Sequence, residues 1–389
     1  MRLLYCALDQ VVPGTVGGAT HVRAVAEGLA RLGHVVHVLT GEGPAGFPHA
    51  GGPSAGALDW HDLAAPFGWP HLRLLRATAV RRLAASLRPD AVIERYHNFG
   101  GEGVLAAREV GAIAVLEVNA PVVDHPGSRK AWLDRLLLVR PMQRWREHLC
   151  RQADLVVTPS ARILPPGLPP ARVLEIEWGA DTYRFRPGAT GTVPFERRDG
   201  ETVAVFAGAF RAWHGAPRLA EAARQLEHEG TRGLHVVFVG DGPELTRARE
   251  AAAGLPRATF TGPLPYEAMP ACLAAADIGV APFDVAAHAP LQLDFYWSPL
   301  KVFEYMASGL PVVAPRLPRL AELVEDDREG VLYAPEAPSG LAAALRTLLD
   351  ADRRRAMGAA ARARVERDFS WRAHCERLAA AIEACRGGA

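Results

Sequence analysis

The sequence predicts an α/β protein of two doubly wound domains, each a parallel sheet wrapped by helices. Three observations carry that expectation. The chain has 389 residues, 49% of them hydrophobic and 22% charged, more than one compact core ordinarily absorbs. Apolar, β-rich runs alternate with segments of helical spacing, the pattern of strand–helix–strand units. Between Phe185 and Gly200 a stretch rich in Pro, Gly and charge breaks all periodicity, and a fresh strand follows. Domains are therefore placed at 1–186 and 187–368, with a helical tail at 369–389.

The opening Met1 to Leu8 reads as a buried first strand. Val22, Val25, Ala26, Leu29 and Leu32 recur at helical spacing up to Gly33, and Val35–Leu39 is β-rich. The alternation returns as a strand at Asp90–Glu94, a helix from Val104 to Val110 closed by Gly111, and strands at Ala112–Val118 and Asp154–Thr158. In the second half the order is strand Thr202–Phe206, helix Ala216–Leu226, strand Leu234–Val239, helix Pro243–Ala253, strand Ala258–Phe260, helix Ala268–Ala275 and strand Ile278–Ala281. Open parallel sheets bind ligands at the carboxyl ends of their strands, so two such domains are expected to face a cleft lined by the loops that follow strands.

Bulk numbers exclude some functions. Lys and Arg number 44 against 43 Asp and Glu, which leaves no positive field for nucleic acid. The five cysteines lie far apart without CxxC or Cys/His ligand spacing, as expected of a protein in a reducing cytoplasm. The start lacks the features of a signal peptide, and no apolar run approaches the roughly 20 residues of a spanning helix. Arg129 to Arg146 mixes basic residues with Trp132, Trp145 and a leucine run. A crossover helix against the sheet and a peripheral membrane helix both fit that pattern, the first better.

The chemistry concentrates in Ser298-Pro-Leu-Lys-Val-Phe-Glu304-Tyr-Met-Ala-Ser-Gly309, followed by the strand Leu310–Ala314. Ser298 is suited to cap a helix whose first residue is Pro299, and the free amides of such a start attract phosphate. Glu304 interrupts an otherwise apolar helix. A buried carboxylate there needs a partner, either an Arg or amide of the protein or the hydroxyl donors of a ribose diol.

That segment resembles the Glu-x7-Glu region of family-4 retaining glycosyltransferases, in the variant SPLK-x-FEYMA-x-G-x-PVVA. The resemblance implies the two-domain GT-B fold, with the tail from Asp368 to Ile382 crossing back onto the first domain. It assigns donor ribose binding to Glu304, with Ser298, Pro299, Leu300 and Lys301 beside the donor. The family's first Glu falls at Tyr296 here, with Asp294 as a weak substitute. Gly17-Gly18 resembles the glycine loop near the donor phosphate or sugar, and Trp178-Gly-Ala-Asp181 with Phe185-Arg-Pro187 resembles the family's hinge. Phe206 to Gly215, including Gly208, resembles the loop that places an Arg and a Lys on the donor diphosphate; Arg211 supplies the first, and His214 stands at the second. Gly240-Asp-Gly-Pro-Glu244 matches the GDGPE turn, with Pro243 suited to the first helical position, and Thr261 to Leu264 the loop that frames the base. Asn119 occupies the place where many members carry a His facing the donor sugar, and Glu94-Arg95-Tyr96 ends a strand on the expected acceptor side.

The resulting expectation is a retaining glycosyltransferase that moves a sugar from a nucleoside diphosphate donor, UDP-linked by preference, to a hydroxyl acceptor: a saccharide, a lipid-linked saccharide or a small natural product. Arg211, His214 and Asn119 are its catalytic candidates. No cofactor and no metal are expected, because no Asp-x-Asp or other metal cluster is evident at a strand end. Alternatives are a nucleotide-sugar epimerase on the same fold and a non-catalytic nucleotide-sugar binder.

Overall fold

A computed structural model describes residues 1–12, 17–41, 57–63, 76–121, 139–284, 286–287 and 295–387. The chain divides into two compact units, Met1–Trp178 with Trp371–Ala389, and Gly179–Ser370. The crossings thus fall at Trp178/Gly179 and Ser370/Trp371, and the Pro- and Gly-rich stretch belongs wholly to the second unit. Phe185 explains this, since it is fully buried in the second unit's core.

In the first unit the strands are β1 (Arg2–Ala7), β2 (Val35–Gly41), β3 (Leu58–Leu63), β4 (Ala91–Arg95), β5 (Ile113–Glu117), β6 (Leu155–Thr158) and β7 (Val173–Glu175). They form one sheet in the order β3-β2-β1-β4-β5-β6-β7, and every pairing is parallel. Its described helices are α1 (Gly17–Arg31), α2 (Ala77–Leu87), α3 (Glu102–Val110) and α4 (Val139–Gln152). The glycines read as helix stops act as such: Gly33 and Gly111 have φ of +87° and +70°, a left-handed conformation that glycine adopts without the Cβ penalty.

The second unit holds β8 (Thr202–Ala207), β9 (Leu234–Val239), β10 (Ala258–Gly262), β11 (Ile278–Val280), β12 (Val312–Pro315) and β13 (Gly330–Tyr333), in the order β10-β9-β8-β11-β12-β13. Around it lie α5 (Ala216–His228), α6 (Leu245–Ala252), α7 (Met269–Ala274), α8 (Leu300–Ala307), α9 (Pro318–Leu323), α10 (Gly340–Thr347) and α11 (Ala351–Asp368). Period-2 alternation divides the strand residues between two cores: Val203, Val205 and Ala207 meet α8 on one face, whereas Ala204 and Phe206 meet α5 and α10 on the other. The chain then returns to the first unit as α12 (Trp371–Gly387), which crosses α1 so closely that a Cβ on Gly28 would lie 2.4 Å from Cys375 Sγ. All five cysteines are free.

Three local expectations shift. Helix α8 begins at Leu300 with Pro299 as its boundary residue and no side-chain cap, so Ser298 lies one position too early to cap it. Helix α6 begins at Leu245, leaving Pro243 in the preceding turn. Gly17 and Gly18 open α1 instead of lying in a loop, and Gly18 faces the Gln10 side chain. Of the basic segment, 129–138 lies outside the described residues. The remainder in α4 turns inward: Met142 is buried, Trp145 Nε1 donates to Gly100 O at 2.5 Å, and Arg146 donates to Ile163 O at 3.0 Å. Those contacts fit a helix laid against its own unit.

Candidate functional site

Both strand orders reverse beside their first strand, at β1/β4 and at β8/β11, where loops leave the sheet in opposite directions and open a crevice. In the second unit the loops after β8, β9 and β10 interlock through main chain alone. Gly208 N donates to Val239 O at 3.0 Å, Gly240 N to Gly262 O at 2.9 Å, and Phe210 N to Asp241 O at 2.9 Å. Gly208 and Gly240 sit back to back, with φ of +136° and +125°. A Cβ on Gly240 would lie 2.0 Å from Gly208 O. Both glycines are required by close approach as well as by handedness.

Helix α8 reaches the same crevice. Tyr305, fully buried, accepts from Ala207 N at 2.8 Å and donates to Val280 O at 3.4 Å. It joins the ends of β8 and β11, whose own pairing stops at Val205 and Gly279. The ring occupies space that only glycine leaves, since a Cβ on Gly279 would come within 2.4 Å of it. Tyr305 lies in the otherwise apolar helix read from the sequence, which gave no sign of this tie; the signal available was a glycine inside strand Ile278–Val280.

Lys301 and Glu304 share one face of α8. The Lys301 ammonium lies over the Phe206 ring, 4.5 Å from its centroid, and 5.6 Å from that of Phe283. Its Nζ is sealed from solvent and has no hydrogen-bond partner among the described residues. Burial pushes it down to about 7, against the opposing pull of Glu304. The half-buried Glu304 carboxyl is pushed up to about 8 by the same desolvation, with Lys301 lowering it. No described Arg side chain or backbone amide partners that carboxyl, so the protein-internal pairing left open by the sequence is not realised.

Around this pair, His214 is buried and its Nδ1 bonds Ala209 O, which makes Nδ1 the donor. Its ring meets Trp213 edge-on at 3.9 Å. Arg211 is exposed at the head of the short turn Ala212–His214. Leu264 packs half-buried against the core on the α8 face, and Ser298 is buried behind the helix start. Tyr296, at the position of the family's first Glu, packs edge-on against Trp297, with centroids 4.8 Å apart. Trp297 in turn meets Trp213 at 5.0 Å and Phe295 at 4.5 Å. Aromatic surface thus stands where that carboxylate would, and Asp294 lies outside the described residues.

The β1/β4 crevice of the first unit is polar and tightly paired. Glu117 accepts from Tyr5 Oη at 2.7 Å and from Asn119 Nδ2 at 2.6 Å, and lies 3.1 Å from His21 Nε2. Asn119 Oδ1 accepts from Trp178 Nε1 at 3.1 Å, so both ends of its amide are engaged in positioning. Arg95 reaches Asp9 at 3.5 Å and Glu117 at 3.7 Å rather than pairing with Glu94. His21 stacks on Trp178, and burial holds its ring well below the usual histidine range. Glu94 points the other way and caps α3, accepting from Gly101 N at 2.5 Å and Val104 N at 2.8 Å. Burial and Glu102 push its carboxyl up to about 8. Glu94, His97 and Glu102 bring ligand atoms within 4.8 Å of one another, a metal-compatible grouping that linear spacing did not suggest. Asp181 Oδ1 accepts from Tyr183 N and Arg184 N, both at 3.1 Å, which makes the hinge-like segment a structural turn.

Two parallel sheets of this order, with the terminal helix returned to the first unit, define the GT-B class of glycosyltransferase fold. Residues 201–351 match the family described as Glycosyl transferases group 1, and residues 16–164 match Glycosyltransferase Family 4. A GDP-mannose-dependent alpha-mannosyltransferase of Mycobacterium tuberculosis is 28% identical, with 97% of this chain and 96% of that protein aligned. Its namesake in Mycolicibacterium smegmatis is 29% identical over 100% of this chain and 98% of that one. Among solved structures, a sucrose-phosphate synthase from Thermosynechococcus elongatus superposes over 100% of both chains with a TM-score of 0.71 at 19% identity, a likeness of fold. The chain belongs to the family-4 glycosyltransferases and is an enzyme of the transferase type.

Proposed function

We propose that the chain transfers a sugar from a nucleoside diphosphate donor to a hydroxyl acceptor with retention at the anomeric carbon. The observation that carries the donor half is the pair Lys301 and Glu304, two ionisable side chains that no described residue hydrogen-bonds, at the β8/β11 switch point. A carboxyl there suits two ribose hydroxyl donors, and glycine-lined main chain at Gly208 and Gly240 suits phosphate. The UDP preference suggested by sequence is not retained, because two relatives aligned over nearly their full length are named for GDP-mannose. GDP-mannose is therefore the first donor to test.

As the glycosidic bond breaks, negative charge gathers on the departing diphosphate, so fixed donors at Arg211, His214 and Lys301 stabilise the transition state more than the ground state. Those groups would perform the electrostatic task without a resident metal. The departing phosphate would help deprotonate the acceptor on the same face. Five free cysteines fit a reducing compartment. Among the described residues, no helix is long and apolar enough to cross a membrane.

Calorimetric titration of the purified protein with GDP-, UDP-, dTDP- and ADP-sugars tests the reading. One donor class should bind, GDP-mannose first, and should hydrolyse slowly without acceptor; absence of binding by all four would overturn it. Arg211→Ala should lower kcat about 10- to 100-fold while changing donor affinity less than about threefold, since its charge is used mainly as the leaving group forms. Single-turnover kinetics with the bound donor would check this, and an affinity loss equal to the kcat loss would place Arg211 in ground-state binding instead.

A further inference from the structure

We propose that Lys301, rather than the loop residues Arg211 and His214, supplies the principal positive charge to the donor's diphosphate, and so takes over the role of the lysine that His214 replaces. The proposal rests on the donor reading above. Its starting point is geometric: Lys301 Nζ lies 2.9 Å from where a Cβ on Gly208 would be, directly against the loop that leaves β8. Helix α8 belongs to one face of the sheet and Phe206 to the other. To lie 4.5 Å over the Phe206 ring, the lysine must therefore reach across the carboxyl edge of the sheet where β8 and β11 part.

The loop candidates are less well placed. His214 commits Nδ1 to Ala209 O, so its ring is oriented by its own loop. Arg211 is exposed, and solvent weakens an exposed charge far more than a sealed one. The Lys301 Nζ is sealed, has no hydrogen bond among the described residues, and is flanked by two aromatic faces that attract a cation without hydrogen-bonding it. An unshared ammonium in that setting gains most from an anion.

Spacing along α8 agrees. Glu304 follows Lys301 by three residues, a rise of about 4.5 Å along the axis. A ribose at the carboxyl and a phosphate at the ammonium are therefore neighbours in the order a nucleotide presents them. Among the described residues, the titratable groups beside Lys301 are Glu304 on its own helix and His214 on the β8 loop, whose Nδ1 would be 3.9 Å from a Cβ on Gly208. Burial leaves the free lysine near about 7. An approaching diphosphate favours its charged form, so binding takes up a proton increasingly as pH rises above that value.

The test compares GDP with GMP and UDP with UMP, by calorimetry in two buffers of different ionisation enthalpy, on wild type, Lys301→Met, Lys301→Arg, Arg211→Ala and His214→Ala. Lys301→Met should lose about tenfold or more in diphosphate affinity and less than about threefold in monophosphate affinity. It should also lose the proton uptake seen at pH 8, and Lys301→Arg should recover part of the affinity. Equal losses for mono- and diphosphate, or a larger diphosphate loss in Arg211→Ala than in Lys301→Met, would overturn the assignment to Lys301. Wild type that binds none of the four nucleotides would instead overturn the donor reading, and this proposal with it.

Discussion

Glu304→Ala should weaken donor binding by about 2–4 kcal/mol, roughly 30- to 700-fold in Kd, as expected for losing two hydrogen bonds to a carboxylate. The fold should not suffer, because no described residue relies on that carboxyl. Its pKa is raised, to about 8, so its contribution to stability runs opposite to that of an ordinary paired carboxylate. A carboxyl that binds its proton more tightly when folded costs stability as pH rises from its usual 4.5 through 8. The alanine variant should therefore match wild type in Tm near pH 4.5 and exceed it above pH 8. Donor titration and thermal melts at both pH values check the two halves separately. A lower Tm at every pH would show that Glu304 is held by the protein and not kept for a ligand.

Gly240→Ala is expected to damage both stability and binding. The new Cβ would lie 2.0 Å from Gly208 O, backbone that cannot swing aside, at a φ of +125°. Strain of this kind costs about 3 kcal/mol or more, which in a unit of this size lowers Tm by about 6–12 °C. Gly254→Ala serves as the control: its φ is +83° with nothing within 4 Å of the added atom, so strain alone, about 1 kcal/mol, should remain. Moving Gly208 also displaces the loop against Lys301, so donor affinity should fall in the Gly240 variant and stay near wild type in the control. Similar Tm losses in both would mean that handedness, not the Gly208 contact, makes Gly240 necessary.

Periodicity and breakers made the sheets legible, because strands such as Thr202–Ala207 and Leu234–Val239 are buried on both faces and read as nearly continuous apolar runs, with only Thr202 and His235 polar. The edges were less so. Strand β3, with its exposed Asp59, and the three-residue β7 lack such runs, and neither was anticipated. At the site, chemical type alone singled out Glu304, a carboxyl among apolar neighbours. The Glu117, His21, Arg95 and Asn119 network was hidden, because its members come from three separate segments and meet only after the sheet forms. Glu94 and Arg95 are adjacent in sequence and do not pair. Side chains of consecutive strand residues leave opposite faces, so one caps α3 and the other joins Asp9 and Glu117.

The bond from Tyr305 to the ends of β8 and β11 constrains how this sequence can change over time. Gly279 and Tyr305 occupy one volume between them, so neither can be exchanged alone: a methyl at 279 evicts the ring, and a smaller residue at 305 strands Ala207 N without its acceptor. Replacement must come as a pair, and the replacing pair must still answer that amide. Lys301, one turn earlier on the same helix, and Glu304, next to Tyr305, carry no comparable obligation to the described residues of the fold. Specificity is thus free to drift at the two positions proposed to meet the donor, while Tyr305, four residues after Lys301 in the same eight-residue helix, is held to a nearly fixed vocabulary.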